Sequence, residues 1–139
     1  MNARRMMGLC LCLGLLALAR CKSATTTTSD QPKANPSFQN DIQPIFNSSC
    51  AISSCHNATA QAGLDLSAGK AYSTLVNVAS TEVPALMRVS PGDATNSYLV
   101  MKLENRQTVG GRMPFGGNPL SATQIQNIKN WINNGANGN

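Results

Sequence analysis

Apolar positions along most of this chain are spaced for helices. Phe38, Ile42, Ile45 and Phe46 stand at i, i+4, i+7 and i+8, the spacing of one helix face. Ser37 is placed to cap that helix. Pro44 lies inside the segment, where it removes a backbone donor and crowds the preceding turn, so the pattern predicts a kink or a helix that properly starts near Asp41. A second helix is predicted over 68–76, capped by Ser67, with Ala71, Tyr72 and Leu75 turned inward. Ser90-Pro91-Gly92-Asp93 is a turn signal. Asp93 or Thr95 then starts a short helix through Tyr98, Leu99, Met101 and Leu103. Ser121 with Gln124 three residues on forms a capping box for the last helix. Its apolar face is Ile125, Ile128, Trp131 and Ile132, and Gly135 ends it. The stretches 57–65 and 110–119 are loops by composition. No segment alternates with a period of two and none repeats, so the fold class is all-α.

The flanks read differently. Arg4 and Arg5 precede an uncharged, Leu-rich run from Gly8 to Ala19, the layout of an export signal over residues 1–20. The run is short for a permanent membrane span. Two readings of its end compete. Ala17-Leu18-Ala19 suits cleavage after Ala19, giving a periplasmic product. Leu18-Ala19-Arg20-Cys21 resembles a lipoprotein box that would lipidate Cys21 and tether the protein to a membrane, although Arg20 stands where such boxes carry a small residue. Residues 21–35 are polar, with almost no apolar content, and read as a disordered tether. That leaves one domain over 36–136, with a frayed tail at 137–139.

Composition adds a constraint. The chain has 139 residues, 12% charged and 4% aromatic. So few large side chains leave either a thin core or a core completed by something else, and a porphyrin would supply the missing flat apolar surface. The formal charge of +5 includes three arginines of the export segment. The remaining eight Lys/Arg face six Asp/Glu, a balance of about +2, with no basic run and no interleaved aromatics. Nucleic-acid binding has no support in this pattern.

The chemistry is concentrated in Cys50-Ala51-Ile52-Ser53-Ser54-Cys55-His56. A Cys-x-x-Cys-His run attaches c-type haem: two thiols add to the two vinyl groups of a rigid ring, and the adjacent His projects toward the iron. Here four residues separate the cysteines. The extra two can bulge outward while the Cys55-His56 adjacency is kept. The same run is compatible with a Cys50–Cys55 disulfide in an exported protein, His56 then being incidental. Zinc is a weaker fit, because His56 is the chain's sole His and no second ligand pair exists.

A haem would need a distal ligand. Met113, some 57 residues after His56, sits in the loop Arg112-Met113-Pro114, where the following proline suits it to present a thioether. Met/His ligation raises the potential of a haem, as an electron carrier requires. Met87 and Met101 are rivals, but each falls in or beside a helical stretch, where packing is the simpler role.

Taken together, these phrases resemble a family. From Phe38 to Ala136 the chain is similar to the small monohaem c-type cytochrome domains of exported proteins in planctomycetes, myxobacteria and related bacteria. The likeness lies in Asp41-Ile42-Gln43-Pro44-Ile45-Phe46, the Cys50–His56 run with its four-residue spacing, and Ala62-Gly63-Leu64-Asp65-Leu66. It continues in Arg88-Val89-Ser90-Pro91-Gly92-Asp93, Ser97-Tyr98-Leu99-Val100, Arg112-Met113-Pro114 and Trp131-Ile132-Asn133-Asn134-Gly135-Ala136. The resemblance implies one covalent haem c, with Cys50 and Cys55 as thioether residues, His56 as proximal ligand and Met113 as distal ligand. It also implies a class I cytochrome c-like fold of about four short helices, first and last packed together, with the haem edge partly exposed.

The expected function is one-electron transfer in the cell envelope, with redox proteins as partners. No paired carboxylates and no second His are present for hydrolytic chemistry, so an enzyme is not expected. The alternatives are a five-coordinate haem protein with ligand-binding or peroxidase activity, and a haem-free module stapled by a disulfide. Trp131 is expected to anchor the core rather than meet a propionate. Arg88 and Arg112 suit either propionate neutralisation or plain solvation.

Overall fold

The computed structural model describes residues 31–58 and 60–139. The export segment, the tether up to residue 30 and Cys21 with its lipidation reading lie outside the described residues. A π-helical turn, Phe38–Ile42, runs directly into helix α1, Gln43–Ser49. A single 3-10 turn, Gln61–Gly63, precedes α2 (Ala71–Leu75), α3 (Tyr98–Leu103) and α4 (Ala122–Asn133). The described residues are therefore all-α, with no strand among them. Isolated bridges pair Val76 with Val89 and Ala79 with Met87, tying the loop after α2 back on itself.

Pro44 acts as its chemistry requires, though not by a kink. The Ile42 and Gln43 N–H groups reach back five residues, to Ser37 and Phe38. The proline then sits in the first turn of α1, where its missing donor is no loss.

Two helices are shorter than the sequence predicts. The second begins at Ala71, because Gly69 takes a φ of +78° and breaks the path from Ser67. Ser67 makes no side-chain cap; its backbone N–H donates instead to Asp65. The third begins at Tyr98 rather than at Asp93 or Thr95, because the Asp93 carboxylate accepts from Asn96 in a local turn that competes with helix. Tyr72 is also placed outward, 38% exposed, in a T-shaped contact with the Phe38 ring.

The first and last helical segments pack together. The Phe38 ring lies 5.2 Å from that of Trp131, and both side chains are buried with Ile42, Phe46, Ile128 and Ile132. The capping box of Ser121 and Gln124 is formed. The two flanks of the domain, from Lys33 on one side and to Asn139 on the other, are held more firmly than their composition implies. Lys33 to Asn35 bond to Asn127 and Asn130 of α4 and to its C-cap residue Asn134, slightly ahead of the domain start expected at 36. At the other end, the Trp131 indole donates to the Asn137 carbonyl at 2.8 Å, and Ser37 and Gln39 both donate to the Asn139 carbonyl. The tail expected to fray is thus a strap across the first helical turn.

Trp131 is the core anchor anticipated for it. Trp131→Ala is expected to lower the unfolding free energy by about 3–5 kcal/mol, read as a fall in the urea midpoint at constant m-value.

Candidate functional site

Helix α1 delivers the cysteine–histidine run. The Cys50 and Ala51 N–H groups both end the helix on the Phe46 carbonyl. The chain then turns outward. Ile52, Ser53 and Ser54 are exposed, and Ser54 takes a left-handed φ of +65°. It returns at once, because the His56 N–H donates to the Cys50 carbonyl at 3.0 Å. The additional residues therefore form the outward bulge expected of them, and Cys50 and His56 are brought back side by side.

Both cysteines are free thiols, Cys50 buried and Cys55 half-buried. Burial, and then the neighbouring Cys55, push the Cys50 thiol up to about 12. It belongs to an apolar wall and carries no thiolate at neutral pH.

His56 is held by its Nδ1, which lies 3.2 Å from the Gln61 carbonyl and 3.3 Å from that of Leu64. Carbonyl oxygens only accept, so Nδ1 carries the proton and the Nε2 of the neutral ring keeps its lone pair. That is the ring state a metal ligand needs.

These residues border a cleft of two adjoining cavities, about 630 and 920 Å³ counting the space at their mouths. Both are bordered by Cys50, His56, Ala62, Glu82 and Met113. The inner cavity is walled by Leu64, Leu66, Leu75, Leu99 and Leu103. The outer one opens past Cys55, Pro114 and Phe115, the last 77% exposed. Met87 and Met101 border neither cavity.

Met113 reaches the cleft from an irregular loop, as expected, and its bond to Pro114 is cis. Its N–H donates to the Lys102 carbonyl at 3.0 Å. The Lys102 ammonium, buried on α3, donates to the Val109 and Gly111 carbonyls and pairs with Glu82. Gly110 is needed between them: it has a φ of +67°, and a Cβ there would stand 2.9 Å from the Lys102 Nζ.

Sequence reading missed this polar knot of Glu82, Tyr98 and Lys102. The available signal was a lysine inside the apolar run of α3, Tyr98–Leu103. Burial would raise the Glu82 carboxyl, but hydrogen bonds from Lys102 and Tyr98 hold it below its ordinary value. Burial and the bond to Glu82 push the Tyr98 hydroxyl up to about 12. A depressed carboxyl stabilises the fold above its unfolded pKa and loses that contribution as pH falls through the folded one. Glu82→Gln should therefore be less stable than the parent at pH 7, and the gap should close below the ordinary carboxyl value of 4.5. Urea melts of both proteins across pH 3 to 7 check this.

Arg88 is not the solvated side chain that was one of its two readings. It is buried in the inner wall and donates to the carbonyls of Ala62, Gly63 and Thr74. Arg112, half-buried, borders neither cavity.

No protein-family profile, no curated protein and no solved structure matches this chain.

Proposed function

We propose that this chain is a class I-like c-type cytochrome domain, exported to the cell envelope, that carries single electrons. The observation that supports it most is the shared cleft. His56 and Met113, distant in sequence, border the same two cavities as Cys50, and Cys55 stands at the outer one. The cleft is lined by leucines, its thiols are free, and its imidazole exposes the lone pair of Nε2. This donor set fits a covalent haem: two thioether sulfurs, one imidazole and one thioether ligand.

Haem, when bound, supplies a one-electron iron couple. The residues of the chain do the rest. Cys50 and Cys55 would hold the ring covalently. His56 would serve as the proximal ligand, with its ring orientation set by the Gln61 and Leu64 carbonyls. Met113 would serve as the distal ligand, on a loop pinned by Lys102. The leucines of the inner cavity exclude water, which favours retention of the thioether ligand. Redox proteins are the partners this implies, and a lipidated Cys21 would keep the domain at a membrane.

The test is an absorption spectrum of protein exported from a host competent for haem attachment, oxidised and reduced, followed by acid-acetone extraction in denaturant. Colour that stays with the polypeptide, with sharp low-spin bands on reduction, is expected. A covalent but high-spin haem would shift the reading to ligand binding or peroxidase chemistry. A colourless protein would leave the disulfide-stapled module.

A further inference from the structure

We propose that Arg88 is a positioning residue for the His56 ring, acting through the backbone of the loop from Gln61 to Leu64. This rests on the reading of His56 as the proximal ligand.

Arg88 is a buried cation with no carboxylate partner among the described residues. Burial without a counter-charge is costly, and here it lowers the guanidinium pKa. What the side chain gains is three backbone carbonyls. One nitrogen donates to Thr74 at 2.8 Å and Gly63 at 3.2 Å, and another to Ala62 at 3.0 Å. The planar fork thus bridges the end of α2 and the loop beside the histidine. A lysine ammonium, with its donors at one point, cannot span the same set.

The loop needs such a clamp. Ala60 and Ala62, both non-glycine, take left-handed φ values of +49° and +56°, and Gly63 follows at +66°. Side chains disfavour that region, so the path persists only where surroundings impose it. Thr81 adds one more bond to the Ala62 carbonyl. The carbonyls on either side of the clamped pair, Gln61 and Leu64, are the two that accept from His56 Nδ1. Arg88 therefore fixes Ala62 and Gly63 so that their neighbours hold one tautomer and one ring plane.

His56 is the chain's sole histidine, so its ring nitrogens can be read without assignment. The experiment is long-range proton–nitrogen NMR on the untagged full chain without haem, comparing the parent with Arg88→Met, Arg88→Lys and Leu120→Ala. The parent should hold the neutral ring almost wholly as the Nδ1–H tautomer. Arg88→Met should raise the Nε2–H fraction several-fold, and Arg88→Lys should raise it less. Leu120 is buried and borders neither cavity, so Leu120→Ala loosens the core without touching the loop and should leave the ratio alone. If Arg88→Met does not fold, Arg88→Lys decides. An unchanged tautomer ratio in a folded Arg88 variant overturns the proposal, and so does an equal change in Leu120→Ala. In haem-loaded protein, the Arg88 variants should also alter the ferric electron paramagnetic g-values while the haem stays attached. Unaltered g-values would overturn the effect on the ligand. A colourless parent with the tautomer shift intact would retire the haem reading and leave the ring positioning standing.

Discussion

Replacing His56 with alanine is expected to remove the low-spin spectrum entirely. Nδ1 of this ring is committed to two carbonyls, and its Nε2 lone pair is the imidazole donor the described residues offer the cleft. The chain has no second histidine to take over. Cys50 and Cys55 are untouched by the substitution, so covalent attachment can still occur, but the haem should be high-spin or lost during export. The yield of coloured protein and the reduced spectrum measure this. A His56→Ala protein with normal low-spin bands would show that another side chain ligates the iron and would overturn the assignment.

The second large effect is expected from Met113→Ala. The haem should remain attached through Cys50 and Cys55, while the reduction potential falls by a sizeable fraction of the roughly 0.8 V over which axial ligands tune haem. A coordination site should open at the same time, seen as binding of an added small ligand such as imidazole. The fold should survive, because Met113 is only half-buried and its loop is held by backbone bonds to Lys102. Potentiometry on the two proteins decides. An unchanged potential and spin state would turn the search to Met101 or Met87, although neither borders the cleft.

The polar knot beneath the Met113 loop bears on both results. Lys102 is buried, paired with Glu82, and bonded to the backbone on both sides of Gly110. It ties the loop to α3, so the thioether is presented by a braced segment rather than a loose one. Arg88 does the comparable task for the imidazole, from the same inner cavity wall. Two buried cations thus spend their donors on backbone carbonyls, one beside each of the proposed iron ligands.

Much of the fold was legible residue by residue. The capping box at Ser121, the apolar face of α4, the helix from Phe38 to Phe46 and the irregular loop around Met113 all follow from short-range patterns. Where reading failed, a longer-range or competing contact won. Ser67 could cap a helix, but Gly69 breaks the path and Asp65 takes the Ser67 N–H. Asp93 could start a helix, but it closes a turn on Asn96 instead. Asn137 to Asn139 have nothing apolar to bury, yet the Trp131 indole and the first helical turn supply partners for their carbonyls.

The amino-acid sequence by itself determined the local matters: helical class, helix faces and caps, and the cysteine–histidine run with its outward bulge. These depend on neighbours within a few turns of chain, and such contacts are encoded by spacing alone. Only the tertiary structure decided which methionine reaches the cleft and that Arg88 and Lys102 are buried. It also decided that His56 is aimed by carbonyls of a left-handed loop. Each of these depends on where a loop of poor intrinsic preference is laid, and that is set by packing against distant elements, which no local pattern records.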